Sequence, residues 1–256
     1  MITYPTPKIN IGLNVLRRRT DGYHDIDTLF YPVDAYQDTL EILPAEEFSI
    51  DVRLAEGELP VDWDPQNDLC AKAYRLMQER YGIAPVSIRL LKAIPVGAGL
   101  GGGSSDCAAT VKMLDEIFAL HLPTFELESL AGTLGADCAF FIRNIAQWGS
   151  GKGEILSPAD IDLSDYEIRV VVPEGESVST REAYSGIVPC EPEVNLHDAL
   201  ARPISEWKGS VKNDFETSVF PSHPRIAELK EQLYRDGALY ASMTGSGSAV
   251  FGIFGK

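Results

Sequence analysis

The segment that most limits how this chain can fold is Pro95-Val-Gly97-Ala-Gly99-Leu-Gly101-Gly102-Gly103-Ser104-Ser105-Asp106, in which five of the seven residues from Gly97 to Gly103 are glycine. With no Cβ to block approach, backbone N–H groups there can crowd around a ligand. A helix is expected directly afterwards, because Cys107, Val111, Leu114 and Phe118 recur on one face. The unpaired N–H groups and the dipole at such a helix start favour an anion. Ser104 and Ser105 add hydroxyls where phosphate oxygens or a bound cation would sit. The segment reads as a phosphate-binding loop, with a flexible connector or a close helix-packing site as the competing readings.

Common phosphate binders do not match. No lysine follows the glycines, so the Walker A pattern fails. Gly97, Gly99 and Gly102 satisfy G-x-G-x-x-G, but a dinucleotide fold needs a second strand ending in an acidic residue about twenty residues on. That distance lands on Asp115 and Glu116, inside the expected helix. The V-A-I-K, H-R-D and D-F-G segments of protein kinases are missing downstream.

The flanking sequence supplies strands and helices in mixed order. Ile9, Ile11, Leu13 and Val15 alternate with Lys8, Asn10, Gly12 and Asn14, the pattern of a half-buried strand, and Tyr23 to Val33 is expected to pair back on it. Asn67 or Asp68 is expected to cap a helix carrying Leu69, Ala73, Leu76 and Tyr81 and stopped by Gly82. Val86, Ile88 and Leu90 mark a strand, and a short helix is expected from Pro123-Thr124 to about Gly135. Beyond residue 148 a glycine-spaced turn leads to a strand at Ile168–Val172, a helix with Ile226, Leu229 and Leu233, and a last strand at Ala249–Phe254. The whole reads as an α+β protein of two domains, 1–150 and 151–256.

Charge narrows the partners. With 22 Lys+Arg against 38 Asp+Glu, the net charge is −16. That disfavours nucleic acid and anionic membrane surfaces as partners. Any anionic ligand must be held by a local arrangement. No signal peptide or long apolar run is visible, and Cys70, Cys107, Cys138 and Cys190 are scattered without a C-x-x-C pair, so a cytoplasmic protein with reduced, mostly buried cysteines and no structural metal is expected.

Pro95-Val-Gly-Ala-Gly-Leu-Gly-Gly-Gly-Ser-Ser105 resembles the phosphate loop of the GHMP kinases, which include galactokinase, homoserine kinase, mevalonate kinase and phosphomevalonate kinase. Five further segments agree in order: Pro7-Lys8-Ile9-Asn10, Asp21-Gly22-Tyr23-His24, Leu134-Gly135-Ala136-Asp137, Asn213-Asp214-Phe215-Glu216 and Thr244-Gly245-Ser246-Gly247. Asp21-Gly22-Tyr23-His24 is similar to a stretch typical of one member, which acts on a cytidine diphosphate-linked polyol in isoprenoid precursor synthesis. Asp106 departs from the family's usual Asn, Val96 and Ala98 replace its common Met and Gly, and region 174–212 departs from its pattern.

The resemblance implies a two-domain GHMP kinase fold, with an N-terminal ribosomal-protein-S5-like nucleotide domain and a C-terminal ferredoxin-like substrate domain. It implies ATP as donor, Mg²⁺ as cofactor and small-molecule partners only. Pro95, Val96, Gly97, Ala98, Gly99, Leu100, Gly101, Gly102, Gly103, Ser104 and Ser105 would hold the ATP phosphates, while Lys92, Asn67 and Leu69 would contact its adenosine. Asp137, which its sequence position equally suits to a helix N-cap, would be the general base, and Lys8 would stabilise the transferring phosphoryl group. Tyr23 would stack on cytosine, His24 would bond the base edge, and Tyr184 would supply the opposite stacking face. Asn10, Thr244, Gly245, Ser246 and Gly247 would contact the substrate, and Ser105 or Asp106 would hold Mg²⁺. Another GHMP small-molecule kinase or a catalytically silent nucleotide-binding regulator would share most of these features.

Overall fold

The computed structural model of the chain describes residues 1–57 and 63–256. It forms two compact units, one comprising Met1–Pro7, Tyr36–Val96 and Gly101–Ile145, the other Lys8–Ala35, Gly97–Leu100 and Ala146–Lys256. Packing therefore does not follow a single cut near residue 150. Strand β7 (Gln147–Ser150) pairs with β3 (His24–Pro32), which groups the early hairpin with the C-terminal half.

In the first unit, β1 (Ile2–Thr3), β4 (Thr39–Pro44), β6 (Val86–Lys92) and β5 (Ser49–Leu54) form a sheet in that order, with β5 parallel to β6. A parallel neighbour needs a crossover, and helix α1 (Leu69–Tyr81) supplies it. Its ends follow the sequence signals: the Asp68 carboxylate accepts the Cys70 N–H, and Gly82 closes the helix in the left-handed region at φ 64°. Helix α2 (Gly102–Ile117) buries Cys107, Val111 and Leu114, while α3 (Thr124–Leu134) and the single turn α4 (Phe140–Arg143) pack against it. The core joins Leu40, Ile42, Ile88 and Leu90 of the sheet to Tyr74, Met77 and Leu114 of the helices.

The second unit holds two antiparallel sheets. One runs β2 (Lys8–Arg18), β3, β7 and β8 (Ile155–Pro158); the other runs β10 (Tyr240–Met243), β11 (Val250–Gly255) and β9 (Tyr166–Val171). Helices α5 (Thr180–Ser185), α6 (Leu196–Leu200), α7 (Glu216–Val219) and α8 (Pro224–Arg235) complete it. Its core collects Leu13, Val15, Phe215, Val219, Ile226, Leu233, Met243 and Val250. Strand β2 is not half-buried as its alternation suggests: Lys8 through Val15 are all buried. Its polar face is covered by residues 97–100 and 244–247, as the contacts of Lys8 and Asn10 below show. The alternation also breaks at Gly12, where the pairing with β3 shifts register. Gly12 adopts φ 72°, and a Cβ there would lie 2.4 Å from a Leu196 methyl.

Cys70, Cys107 and Cys138 are buried and reduced as expected, whereas Cys190 is exposed. No helix among the described residues is long and apolar enough to cross a membrane.

Candidate active site

In the second unit, three predicted segments converge. Lys8 opens β2 with its backbone N–H on the Leu100 carbonyl (3.0 Å). The residue is buried, and its ammonium donates to Asn10 Oδ1 (2.7 Å) and the Gly99 carbonyl (2.9 Å), with the Phe30 ring 5.5 Å away. Asn10 is fully engaged, because its amide donates to Thr28 Oγ1 (2.9 Å) and its backbone N–H to Thr244 Oγ1 (2.9 Å). Thr28 in turn donates to the Gly12 carbonyl (2.6 Å). Asn10 and the Gly99 carbonyl thus help to fix the position of a buried amine.

The glycine segments meet backbone to backbone. Gly97, Gly99 and Gly101 all have positive φ, between 72° and 78°, so the chain reverses repeatedly where a side chain would be strained. A Cβ on Gly99 would stand 2.3 Å from the Thr244 carbonyl oxygen, and one on Gly245 would stand 2.9 Å from the Gly99 carbonyl oxygen. The Ala249 N–H donates to the Ala98 carbonyl (3.1 Å), fixing the two segments together. The 244–247 turn is held from beneath by Asn213, whose amide donates to the carbonyls of Met243 and Gly245 (2.9 Å each). Glu216 accepts the Met243 N–H (2.9 Å) and Asp214 the Val15 N–H (2.7 Å). The Asn213-Asp214-Phe215-Glu216 motif is therefore a bracket for the third glycine turn. The resemblance located this motif without assigning it a task.

His24 and Tyr184 come together although they are far apart in sequence. Their rings stack with centroids 4.7 Å apart, and Phe215 meets Tyr184 edge-on. Tyr184, expected to face the base opposite Tyr23, thus lies directly against His24. Tyr23 is 60 % exposed with Lys152 Nζ 4.8 Å from its ring centroid. Burial and the nearby Arg18 lower the His24 pKa, which favours the neutral ring with its one donor and one acceptor. Ser246 lies 3.4 Å from the Thr180 hydroxyl of α5.

In the first unit, Gly101 caps α2 in the left-handed region, with no side-chain oxygen on the first N–H groups. Ser104 is partly exposed on the first turn. A Cβ on Gly103 would touch Leu69 at 3.8 Å, which brings Leu69 to the start of α2. Asn67 sits in an exposed turn and donates to Asp64 Oδ2 (2.7 Å). Asp137 is partly buried in the turn between α3 and α4 and does not cap: α4 starts at Phe140 with Ala139 in the N-cap position.

Lys92 is not turned outward toward a nucleotide. Its ammonium is buried between Asp38 Oδ2 (2.8 Å) and Asp106 Oδ2 (2.5 Å). Burial would lower the lysine pKa, but the two carboxylates outweigh it and raise it. Asp38 also accepts the N–H groups of Ala93 and Ile94, so the triad joins the end of β6 to the first turn of α2. Burial pushes the Asp106 carboxyl upward. Magnesium does not fit the expected pair. Asp106 is 1 % exposed and committed to Lys92, and the Ser105 hydroxyl donates to the Thr6 carbonyl (2.7 Å). No local sequence signal marks Asp38, because its partner Lys92 lies 54 residues away.

Comparison with known proteins places the chain among its relatives. Residues 68–144 match the GHMP kinases N terminal domain and residues 194–256 the GHMP kinases C terminal domain. The 4-diphosphocytidyl-2-C-methyl-D-erythritol kinase of Bacteroides thetaiotaomicron is 49% identical over 99% of this chain and 92% of its own length. The same enzyme of Parabacteroides distasonis is 47% identical over 100% of this chain and 92% of its own. A crystal structure of 4-(cytidine 5'-diphospho)-2C-methyl-D-erythritol kinase superposes with a TM-score of 0.80 at 32% identity, covering 99% of this chain and 90% of that one. Homoserine kinase from Cytophaga hutchinsonii shares the fold, with a TM-score of 0.70 at 19% identity over 98% of this chain and 85% of that one.

Proposed function

Because this chain belongs to the GHMP kinases, we propose that it transfers the γ-phosphoryl group of ATP to the 2-hydroxyl of 4-diphosphocytidyl-2-C-methyl-D-erythritol, a step toward isoprenoid precursors. The observation that carries the substrate choice is full-length identity of 49% to an enzyme of that name, together with Asp21-Gly22-Tyr23-His24 at the start of β3. Family membership alone would leave the acceptor open.

The roles follow from the chemistry of each group. Asp137 takes the proton of the attacking hydroxyl, a contribution of about 10²–10⁴ in rate. Lys8, held by Asn10 and the Gly99 carbonyl, places its positive charge against the phosphoryl group in flight. Backbone N–H groups of residues 97–104 hold the ATP phosphates without adding side-chain charge. Leu69 and Asn67 bound the adenosine side. Neutral His24 reads the edge of cytosine, and Tyr23 and Tyr184 offer it aromatic faces. The enzyme works on small molecules in the cytoplasm.

A silent nucleotide-binding regulator is disfavoured because both Lys8 and Asp137 are present. The test is ADP release with the cytidyl compound, mevalonate and homoserine offered in turn. Turnover with the first alone is expected, and turnover with only one of the others overturns the choice. Asp137→Asn should keep ATP binding and lose at least about 10² in kcat; near-normal kcat removes Asp137 from the role.

A further inference from the structure

The residue ahead of α8, His223, has an imidazole lying between two carboxylates. Its Nδ1 is 2.6 Å from Glu176 Oε2 and its Nε2 is 2.9 Å from Glu182 Oε1. Ionised carboxylates only accept hydrogen bonds, so a carboxylate at each nitrogen calls for a proton on each, and the ring is an imidazolium. These are the charged groups that face it, one from the loop after β9 and one from α5. Arg225 of α8 spends its guanidinium on the Glu174 carbonyl (3.0 Å). None of the three takes part in the chemistry described above.

What the imidazolium holds is the strap from Glu174 to Ser185. The Glu176 carbonyl accepts the Ser248 hydroxyl (3.1 Å), just beyond the third glycine turn. Thr180 reaches Ser246 of that turn (3.4 Å), and Tyr184 on the same short helix stacks on His24. Helix α5 has six residues, too few to keep its own shape without outside contacts. Its anchors are the Ser179 cap on the Glu182 N–H (3.1 Å), the Ser218 bond to the Ala183 carbonyl (2.6 Å) and the His223–Glu182 pair.

We propose that His223, as an imidazolium bridging Glu176 and Glu182, is a positioning residue for the nucleobase end of the acceptor substrate, holding the 174–185 strap so that Tyr184 stays beside His24. The role of Tyr184 rests on the function proposed above; the clamp itself does not. Loss of the ring proton leaves one nitrogen lone pair facing a carboxylate, so one of the two bonds breaks and the strap loosens. The two glutamates, outweighing burial, raise the His223 pKa above its ordinary value. The hold is therefore complete below the ordinary histidine value and is lost as pH rises through the raised one.

Steady-state kinetics between about pH 5.5 and 8.5 should show the KM for the cytidyl substrate rising at least about tenfold, the worth of one charge-assisted bond, with kcat and the KM for ATP unchanged across that step. His223→Gln should keep the high-pH KM at every pH, and Glu182→Gln should move the break to lower pH. The ring's NMR titration in the substrate-free enzyme, identified by its loss in His223→Gln, should coincide with the KM break. An unchanged KM profile in His223→Gln, or a ring that titrates at or below the free histidine value, overturns the proposal. Hydrogen exchange of residues 174–185 separates the two claims. If the cytidyl compound is not turned over at any pH, the substrate choice fails, while pH-dependent exchange that His223→Gln abolishes still upholds the clamp. Exchange that ignores both pH and the substitution refutes it.

Discussion

Alanine at Gly97 and at Gly99, introduced separately, isolates what the close approach inside the glycine loop is worth. The two residues have nearly the same backbone, φ 72° and 78°, so each alanine carries similar left-handed strain of about 1–2 kcal/mol. Their surroundings differ. A Cβ at 97 meets nothing within 4 Å, whereas one at 99 lies 2.3 Å from the Thr244 carbonyl oxygen and 3.1 Å from the Gly247 nitrogen. That carbonyl accepts the Gly247 N–H (3.0 Å), so it cannot yield without disturbing the turn. Forced overpacking adds about 1–3 kcal/mol, giving a total of about 2–5 kcal/mol for Gly99→Ala. In a chain of this size each kcal/mol shifts Tm by about 2–4 °C. Gly97→Ala is expected to lose a few degrees and Gly99→Ala about 10 °C. Catalysis should separate them further, because the Gly99 carbonyl holds the Lys8 ammonium, and misplacement by an ångström costs about 10²-fold. Thermal unfolding and kcat/KM for both variants test this. Equal losses in the two would refute the reasoning, since strain alone would then account for the loop.

Two more substitutions test the supports of the site. Asn213→Ala leaves the Gly245 carbonyl and the Phe215 N–H without the Asn213 partner, at about 1–3 kcal/mol each; urea unfolding should show a loss of at least about 2 kcal/mol, and a loss below about 1 kcal/mol contradicts the bracket. Lys92→Met strips Asp38 and Asp106 of their buried counter-charge, at about 3–5 kcal/mol. Asp106 already titrates above its unfolded value, and without Lys92 the folded state binds protons more strongly still. The deficit relative to the parent chain should therefore shrink as pH falls from neutrality toward about 4, and a deficit that ignores pH argues against the buried pair.

Features legible in the sequence share a local cause. Asp68 and Gly82 bound α1 because a cap acts on N–H groups two residues away and a left-handed stop needs one glycine. The loop at 97–103 announced itself because its conformation demands glycine at fixed positions. The Tyr23–His24 motif is legible, but its geometry is not: His24 pairs with Tyr184, brought from α5 by the packing of the second unit. Asp106 illustrates the same limit. Read along the chain it is an acid at a helix start beside a phosphate loop, suited to a metal. In the fold it closes an ion pair with Lys92, itself tied to Asp38 across 54 residues.

The sequence alone determined the family and singled out the glycine loop, Lys8 and Asp137 as the proposed phosphate holder and reacting pair, because those rest on residue type, spacing and ordered motifs. It also made clear that a chain of net charge −16 must hold any anion by local means, the demand that the proposed role of the loop's backbone N–H groups would meet. Only the tertiary structure decided which charges are spent inside the protein. It assigned Lys92 and Asp106 to each other, gave Asn213 the task of bracing the last glycine turn, and set His223 between two glutamates. Each of these depends on burial and on partners distant in sequence, and a side chain's charge is free or committed only once the fold has chosen its neighbours.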